Sequence, residues 1–181
     1  MPTVLVPLAQ GCEELEAVTL IDLLRRAEIE VVAAGLEPGP VTASRRVVLM
    51  PDVVLDEVLD RPFDMIVLPG GLGGAQRLQA DERITGLLQR TAAAGRYTAA
   101  ICAAPKVLAA AGLLEGRQAT AFPGILDGVA GPQVSTAAIV QDGRIITSRG
   151  PGTALDFALT LIEILVGRER REQVEAALQR D

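Results

Sequence analysis

Histidine and tryptophan are absent from the 181 residues, and aromatic side chains make up only 2% of them. Without histidine, neither a Cys-His zinc site nor a Cys-His-Asp protease triad is available. Without aromatic platforms for bases, and with 17 basic against 23 acidic residues, sequence-specific nucleic-acid binding is not expected. These absences remove whole classes of function before any motif is considered.

Long apolar runs are also missing. No stretch reaches the roughly 18 apolar residues that cross a bilayer. The apolar start from Thr3 to Leu8 runs into Gln10 and Gly11, which indicates a first strand rather than a signal peptide. Two cysteines do not make a secreted disulfide framework. We therefore expect a cytoplasmic protein with no membrane segment and no metal.

Aliphatic residues supply most of the 49% hydrophobic content. The length suits one domain with a substantial core, over residues 1–181. Short β-branched runs alternate with longer helical patterns, which is typical of βαβ units. The sequence therefore predicts an α/β fold, an open, mostly parallel sheet with helices on both faces.

Periodicity, glycine and proline set the predicted boundaries of the elements. Strands are expected at Thr3–Pro7, Glu30–Ala34, Phe63–Leu68 and Tyr97–Ile101, with a hairpin around Asp142–Gly143. Helices are expected at Glu13–Ala27, Val53–Leu59, Asp81–Ala94, Ala103–Ala111, Pro151–Val166 and Arg168–Arg180. A glycine loop is expected at Gly70–Gly74.

Ligands of open α/β sheets bind beyond the carboxyl ends of the strands, where loops and helix N-termini converge. That rule selects three segments of this chain: Ala9–Cys12, Pro69–Gly74 and Ile101–Pro105. Any active site is expected where these segments meet.

Cys102 stands between a predicted strand and a predicted helix and is followed by Ala-Ala-Pro. A sulfur at this junction lies near backbone N–H groups and the positive end of the helix dipole, which favours thiolate over thiol. A small buried hydrophobic role explains the residue equally well. The spacing alone leaves both interpretations open.

The loop from Leu68 to Gly71 contains paired glycines, which let a backbone N–H approach a reacting atom closely. Together with the N–H of Ala103, it would form an oxyanion hole. A flexible turn after a buried strand is the alternative interpretation.

Glu16 lies on the same helical stripe as Leu20 and Leu23, so its carboxyl continues a buried face. Partial burial raises a carboxyl pKa, and a protonated Glu16 would donate a hydrogen bond to Cys102 or act as a general acid and base. The alternative is that Glu13, Glu14 and Glu16 only complement the positive end of the helix.

Four motifs in order resemble the ThiJ/PfpI family, in its DJ-one/YajL branch. They are Gly11–Val18 (GCEELEAV), Val67–Gly71 (VLPGG), Ala99–Pro105 (AAICAAP) and Thr147–Thr153 (TSRGPGT). The resemblance implies a flavodoxin-like fold with a nucleophile elbow. It also implies a homodimer whose active site lies near the subunit interface.

The same resemblance implies roles for single residues. Cys102 is the reactive cysteine, and Glu16 supplies the carboxyl that hydrogen-bonds its sulfur. Gly71 and Ala103 supply the backbone donors beside it. Two further residues, Arg45 and Arg149, match family arginines near the site, where they would hold an anion.

Two positions depart from the family pattern. Phe122, before Pro123, stands where some members carry a histidine, and this substitution resembles the bacterial YajL proteins. Cys12 stands where relatives usually carry a small residue without a thiol. If Cys12 approaches Cys102, oxidation would trap a disulfide, whereas simple packing is the alternative.

Two functions are consistent with this pattern. In the first, the protein is a stress-protective, cofactor-free hydrolase or lyase of the glyoxalase or deglycase type. Its Cys102 thiolate adds to methylglyoxal or to early adducts of it on amines and thiols, and Glu16 moves the proton. In the second, oxidation of Cys102 to the sulfinic acid controls a chaperone-like activity on client proteins.

Overall fold

The computed structural model describes residues 1–180 and contains one seven-stranded sheet and two two-stranded sheets. The strands are β1 Thr3–Leu8, β2 Glu30–Gly35, β3 Val41–Thr42, β4 Val48–Leu49, β5 Val53–Val54, β6 Met65–Leu68, β7 Tyr97–Ile101, β8 Gln118–Ala119, β9 Gln133–Val134, β10 Ile139–Asp142 and β11 Ile145–Ser148. The helices are α1 Glu14–Arg26, α2 Leu72–Ala80, α3 Glu82–Ala93, α4 Pro105–Ala110, α5 Ala154–Val166 and α6 Arg168–Ala177. Short 3₁₀ helices cover Leu55–Val58 and Pro151–Thr153.

The large sheet has the order β10-β11-β7-β6-β1-β2-β5, and only the β10–β11 pair is antiparallel. From β2 to β11 the strands follow the flavodoxin-like order, which confirms the predicted fold. The chain leaves β1 toward β2 on one side and returns to β6 on the other. The switch point, where ligands of such sheets bind, therefore lies between β1 and β6.

Two hydrophobic layers cover the sheet. Side chains of α1, α5 and α6 pack on one face, and those of α2, α3 and α4 pack on the other. Successive residues of β1 alternate between these layers, with Val4 and Val6 in the first and Leu5 in the second. A strand buried on both faces has to be apolar throughout, which is what the continuous runs in the sequence indicate.

Two predicted elements differ from the structure. The segment Val53–Leu59 is helical only at Leu55–Val58, which form a 3₁₀ helix, because Val53 pairs with Ala34 and Val54 with Gly35 as strand β5 at the sheet edge. The predicted loop Gly70–Gly74 runs into helix α2, which the sequence analysis missed.

Glycine has a packing role in α2. A Cβ on Gly74 would lie only 2.6 Å from Cys12 Cα, so glycine lets the helix approach the turn before α1. Gly74, which suggested a loop in the sequence, is therefore a site of close backbone contact.

Other boundaries moved by a few residues. The Asp81 side chain accepts a hydrogen bond from the Arg83 N–H and caps α3. Helix α4 begins at Pro105, so Cys102 lies in a turn before it. The hairpin turn falls at Gly143 and Arg144, and the last helix ends at Ala177.

No helix within residues 1–180 is long and apolar enough to cross a membrane. The single domain over residues 1–181 stays a prediction, and Asp181 lies outside the described residues.

Candidate active site

Cys102 occupies a strained turn at the carboxyl end of β7. Its φ of 64° is in the left-handed region, which costs a residue with a Cβ roughly 1–2 kcal/mol. Two backbone hydrogen bonds hold the turn in place: Cys102 N–H donates to Ser148 O, and Cys102 O accepts from Phe122 N–H, both at 2.9 Å. The side chain is half-buried. The geometry is that of the nucleophile elbow expected from the sequence.

The Glu16 carboxyl lies directly beside this turn although it comes from α1. Its side chain is fully buried, and its Oε2 accepts a 2.7 Å hydrogen bond from the Gly70 N–H. The carboxyl is also close enough to the Cys102 thiol that each group shifts the pKa of the other. The structure therefore brings together the carboxyl and the thiol that the sequence paired.

Burial raises the pKa of Glu16 from its ordinary 4.5 to about 7, while hydrogen bonds from Gly70 and Cys102 oppose this rise. Its Oε1 has no hydrogen-bond partner within residues 1–180, so little else stabilises the charged form. A carboxyl with this pKa gives up and regains a proton near neutral pH, which suits a general acid and base.

Gly70 is required for this approach. A Cβ at this position would lie 2.6 Å from Cys102 Cβ and 2.6 Å from Glu16 Oε2. Both distances are below any real contact, so a side chain here would push the thiol and the carboxyl apart.

Two backbone N–H groups, those of Gly71 and Ala103, lie close enough to the Cys102 sulfur to act on its thiol. They lower the thiol pKa, but burial raises it more, and the Glu16 charge raises it further, to about 12. The sequence-based expectation of a favoured thiolate is therefore not met while Glu16 is charged. A proton on Glu16 removes that charge and supplies a donor to the sulfur, so one proton is shared by the pair.

A cavity of about 470 Å³ opens on the sulfur. Gly71, Ala103 and Cys102 lie in its wall, and Glu13 and Arg45 are the charged residues that line it. It lies at the switch point of the sheet, where the three segments chosen from the sequence meet.

Arg149 lies apart from the lining of this cavity. It is exposed, and its Nη1 donates to Thr136 O at 3.3 Å. Of the two predicted arginines, the structure therefore brings only Arg45 to the site.

The loop that carries Arg45 is tied to the start of α1. Ser44 Oγ lies 2.8 Å from both Glu13 Oε2 and Glu14 Oε2. The Arg45 N–H donates to Glu14 Oε1 at 2.7 Å, and these contacts lower the Glu14 pKa against the effect of burial. Sequence reasoning missed this positioning role of Glu14 and Ser44. The only signal for it was the acidic run at the start of the helix.

Cys12 lies outside the cavity wall and is fully buried. Burial raises its thiol pKa to about 11, and the nearby Glu14 carboxylate adds to this effect. Its backbone N–H donates to Ala9 O, and its carbonyl accepts from Ser44 N–H. Both cysteines are free thiols, and a redox partnership between them stays a prediction.

A second cavity, of about 510 Å³, lies beside the end of β2, and Cys102 is not part of its lining. Its arginines already have protein partners: Arg77 donates to Gln10 O, and Arg83 pairs with Asp56 and Asp81. Its size exceeds that of the cysteine cavity, but nothing reactive faces it. No group of three or more metal-ligating side chains occurs in the part of the chain that the structure describes.

The doubly wound sheet, the strained cysteine elbow and the buried carboxyl beside it define a class of α/β proteins built around a reactive thiol. The chain belongs to the DJ-1/PfpI family, whose model matches residues 2–164. The narrower resemblance to the YajL branch stays a prediction.

Several relatives cover this chain almost completely. Protein DJ-1 homolog B of Arabidopsis thaliana is 45% identical over 97% of the chain, which spans 41% of that relative's length. The Caenorhabditis elegans protein named glutathione-independent glyoxalase DJR-1.2 is 36% identical, with 89% of this chain and 87% of that protein covered.

Solved structures agree with the fold. The crystal structure of Drosophila melanogaster DJ-1beta has a TM-score of 0.95 at 42% identity, covering 98% of this chain and 97% of that one. A structure of oxidized Toxoplasma gondii DJ-1 has a TM-score of 0.93 at 38% identity, covering 98% of each chain.

Proposed function

We propose that this protein is a stress-protective, cofactor-free thiol enzyme that converts methylglyoxal, or its early adducts on amines and thiols, to 2-hydroxy acids. The convergence of the buried Glu16 carboxyl and two backbone N–H donors on Cys102, which lines the cavity, carries the proposal. A relative named as a glutathione-independent glyoxalase supports it.

In the first step the Cys102 sulfur adds to the aldehyde carbon of the dicarbonyl. A carbon–sulfur bond forms, and the carbonyl electron pair moves to oxygen. The Gly71 and Ala103 N–H groups stabilise that charge. Glu16 then gives its proton to the alkoxide, which yields a neutral hemithioacetal.

In the second step the Glu16 carboxylate removes the proton from the former aldehyde carbon and returns it to the neighbouring carbon. The hydroxyl proton of the hemithioacetal passes to the ketone oxygen in the same rearrangement. The aldehyde carbon is thereby oxidised to a thioester while the ketone is reduced to an alcohol, so no external oxidant is needed. Water hydrolyses the thioester, releasing lactate from methylglyoxal and restoring the thiol. A carboxyl with a pKa of about 7 suits both proton transfers.

The test is methylglyoxal turnover, with lactate identified by NMR, for the wild type and Glu16→Gln. Because general acid–base groups contribute about 10²–10⁴-fold, the variant is expected to lose that much in kcat. The exposed Glu82 lies outside the cavity, so Glu82→Gln is the matched control and keeps wild-type turnover. Unchanged turnover in Glu16→Gln would count against the mechanism.

A second candidate is an oxidative-stress sensor in which Cys102 sulfinate controls a chaperone-like activity on client proteins. The same N–H donors and carboxyl that surround the thiol would hold sulfinate oxygens. The similar structure of oxidized Toxoplasma gondii DJ-1 supports this candidate. If it holds, peroxide treatment increases protection of an aggregating client, and Cys102→Ser removes that increase. Equal protection before and after peroxide rejects the sensor.

We also propose a homodimer in a reducing cytoplasm. Four large apolar side chains are about half exposed or more on α1 and around β4: Leu15, Val18, Val48 and Met50. Glu14 bonds to the loop before β4, so these elements adjoin each other and the cysteine cavity. A second copy seated there would cover an apolar surface. Light scattering should give twice the 19.0 kDa chain mass, and Val18→Glu should give the monomer.

A further inference from the structure

The cysteine cavity has one strongly apolar wall. Leu72 is 69% exposed and Phe122 is 49% exposed, although both are large hydrophobic residues. They line the cavity together with Ile125 and Pro151. Single exposed hydrophobic residues are ordinary, but several around one reactive sulfur form a surface that an apolar group would cover.

These side chains are fixed relative to the sulfur. Phe122 donates its backbone N–H to Cys102 O, and its ring lies against Gly150, where a Cβ would be 3.3 Å from a ring carbon. Leu72 follows Gly71, which supplies one of the N–H donors. The apolar wall is therefore attached to the same backbone that holds the reacting group.

The charged groups of the cavity come from other loops. Glu13 precedes α1 and is bonded to Ser44, and Arg45 follows on the loop before β4. The cavity thus combines a polar side from these two loops with an apolar wall from the loops after β6, β8 and β11.

The volume of about 470 Å³ is within the range of pockets that bury drug-sized ligands, roughly 300–1,000 Å³. Methylglyoxal carries only a methyl group beyond its two carbonyls. It would leave most of the wall uncovered.

We propose that the preferred substrates are 2-oxoaldehydes with an apolar substituent larger than methyl, and that Phe122 and Leu72 are specificity-determining residues. This inference rests on the proposed function, and the bonds that form and break are the same as in that mechanism. The aldehyde carbon meets Cys102 as before, and the substituent covers the apolar wall. The gain comes from apolar surface removed from water.

The first experiment compares kcat/KM for methylglyoxal and for its butyl homologue, 2-oxohexanal. Because each methylene in a hydrophobic pocket is worth about tenfold or more, the wild type should prefer 2-oxohexanal by at least about tenfold. That ratio should fall toward one in Phe122→Ala and in Leu72→Ala. The matched control is Val134→Ala, because Val134 is 55% exposed but outside the cavity, and it should keep the wild-type ratio. Methylglyoxal turnover with no preference for 2-oxohexanal overturns the inference and leaves the proposed function standing.

The second experiment needs no catalysis. Cys102 is alkylated with iodoacetamide and with N-butyliodoacetamide, and each rate is divided by the rate of the same reagent with glutathione. The butyl reagent should be favoured in the wild type and in Val134→Ala and lose its advantage in Phe122→Ala. A butyl preference without dicarbonyl turnover would reject the proposed enzyme while supporting an apolar ligand at Cys102. Equal normalised rates for the two reagents in the wild type would reject the apolar preference.

Discussion

Burial and nearby carboxylates raise the pKa of both thiols of this chain, to about 11 at Cys12 and to about 12 at Cys102, yet the two residues differ in backbone conformation and in access. Cys102 has a left-handed φ of 64°, is half-buried and opens on a cavity. Cys12 is fully buried and lies outside the lining of that cavity.

Thiol acidity does not favour Cys102, since the pKa is raised at both cysteines. The difference between the sites lies in access and in partners that change with the reaction. Cys102 has a carboxyl that shares a proton with it and two N–H groups that hold negative charge. We therefore expect the reactivity of Cys102 to come from the turn and its neighbours, and not from a more acidic thiol.

The largest expected contrast is in oxidation. Peroxide should convert Cys102 to the sulfinic acid almost completely while Cys12 stays a free thiol, because oxidation follows access and support for the oxidised product. Mass spectrometry of peptides under non-reducing conditions measures both sites at once.

A disulfide between Cys12 and Cys102 in that experiment would contradict the contrast and establish Cys12 as a redox partner. Cys102→Ser is the matched control, and its Cys12 should again remain unmodified.

The next effect is on stability against pH. Because the folded state keeps the Glu16 proton up to about pH 7 while the unfolded chain releases it near 4.5, the stabilisation is complete below 4.5. It is lost as pH rises through 7. Denaturant unfolding should show a fall in the free energy of unfolding of up to about 3 kcal/mol over this window.

In Glu16→Gln the free energy of unfolding should stay nearly constant between pH 4.5 and 7. Glu14, which lies on the Cys12 side, has a lowered pKa and contributes stability that is lost as pH falls below its ordinary 4.5. Glu14→Gln should therefore change the free energy of unfolding only below about pH 4.5. A wild-type curve that is level from pH 4.5 to 7 would contradict the account of Glu16.

The smallest effect is on the relative stability of glycine and alanine variants, which should reverse between the two cysteine positions. At Cys102, glycine should be more stable than alanine by roughly 1 kcal/mol, because the left-handed φ penalises a Cβ. At Cys12, whose φ is not positive, alanine should be more stable than glycine by a similar amount. Thermal or chemical unfolding of the four variants tests the reversal, and the same order at both positions would show that the turn at Cys102 is unstrained.

The fold was largely predictable because the main strands are buried on both faces and read as continuous apolar runs. Phe63–Leu68 and Tyr97–Ile101 are examples, since no other element explains such short runs between helical patterns. Helix α2 was not predictable, because Gly73 and Gly74 suggest a loop until the close contact between Gly74 and Cys12 is known.

The pairing of Glu16 with Cys102 was predictable from a helical stripe and the resemblance to a family. The pKa values of the two groups were not predictable, because they depend on how deeply the pair is buried and on the hydrogen bond from the Gly70 N–H to Glu16. Arg149 matched a family position. The chain after β11 places it outside the cavity lining, where its side chain donates to Thr136 O.

The most direct test of the central claim is dicarbonyl turnover in Cys102→Ala beside Cys12→Ala under reducing conditions, with the product identified by NMR. The account predicts that Cys12→Ala forms lactate from methylglyoxal at close to the wild-type rate, while Cys102→Ala shows no more than the uncatalysed reaction. Equal loss in both variants, or lactate formation that survives in Cys102→Ala, would contradict it.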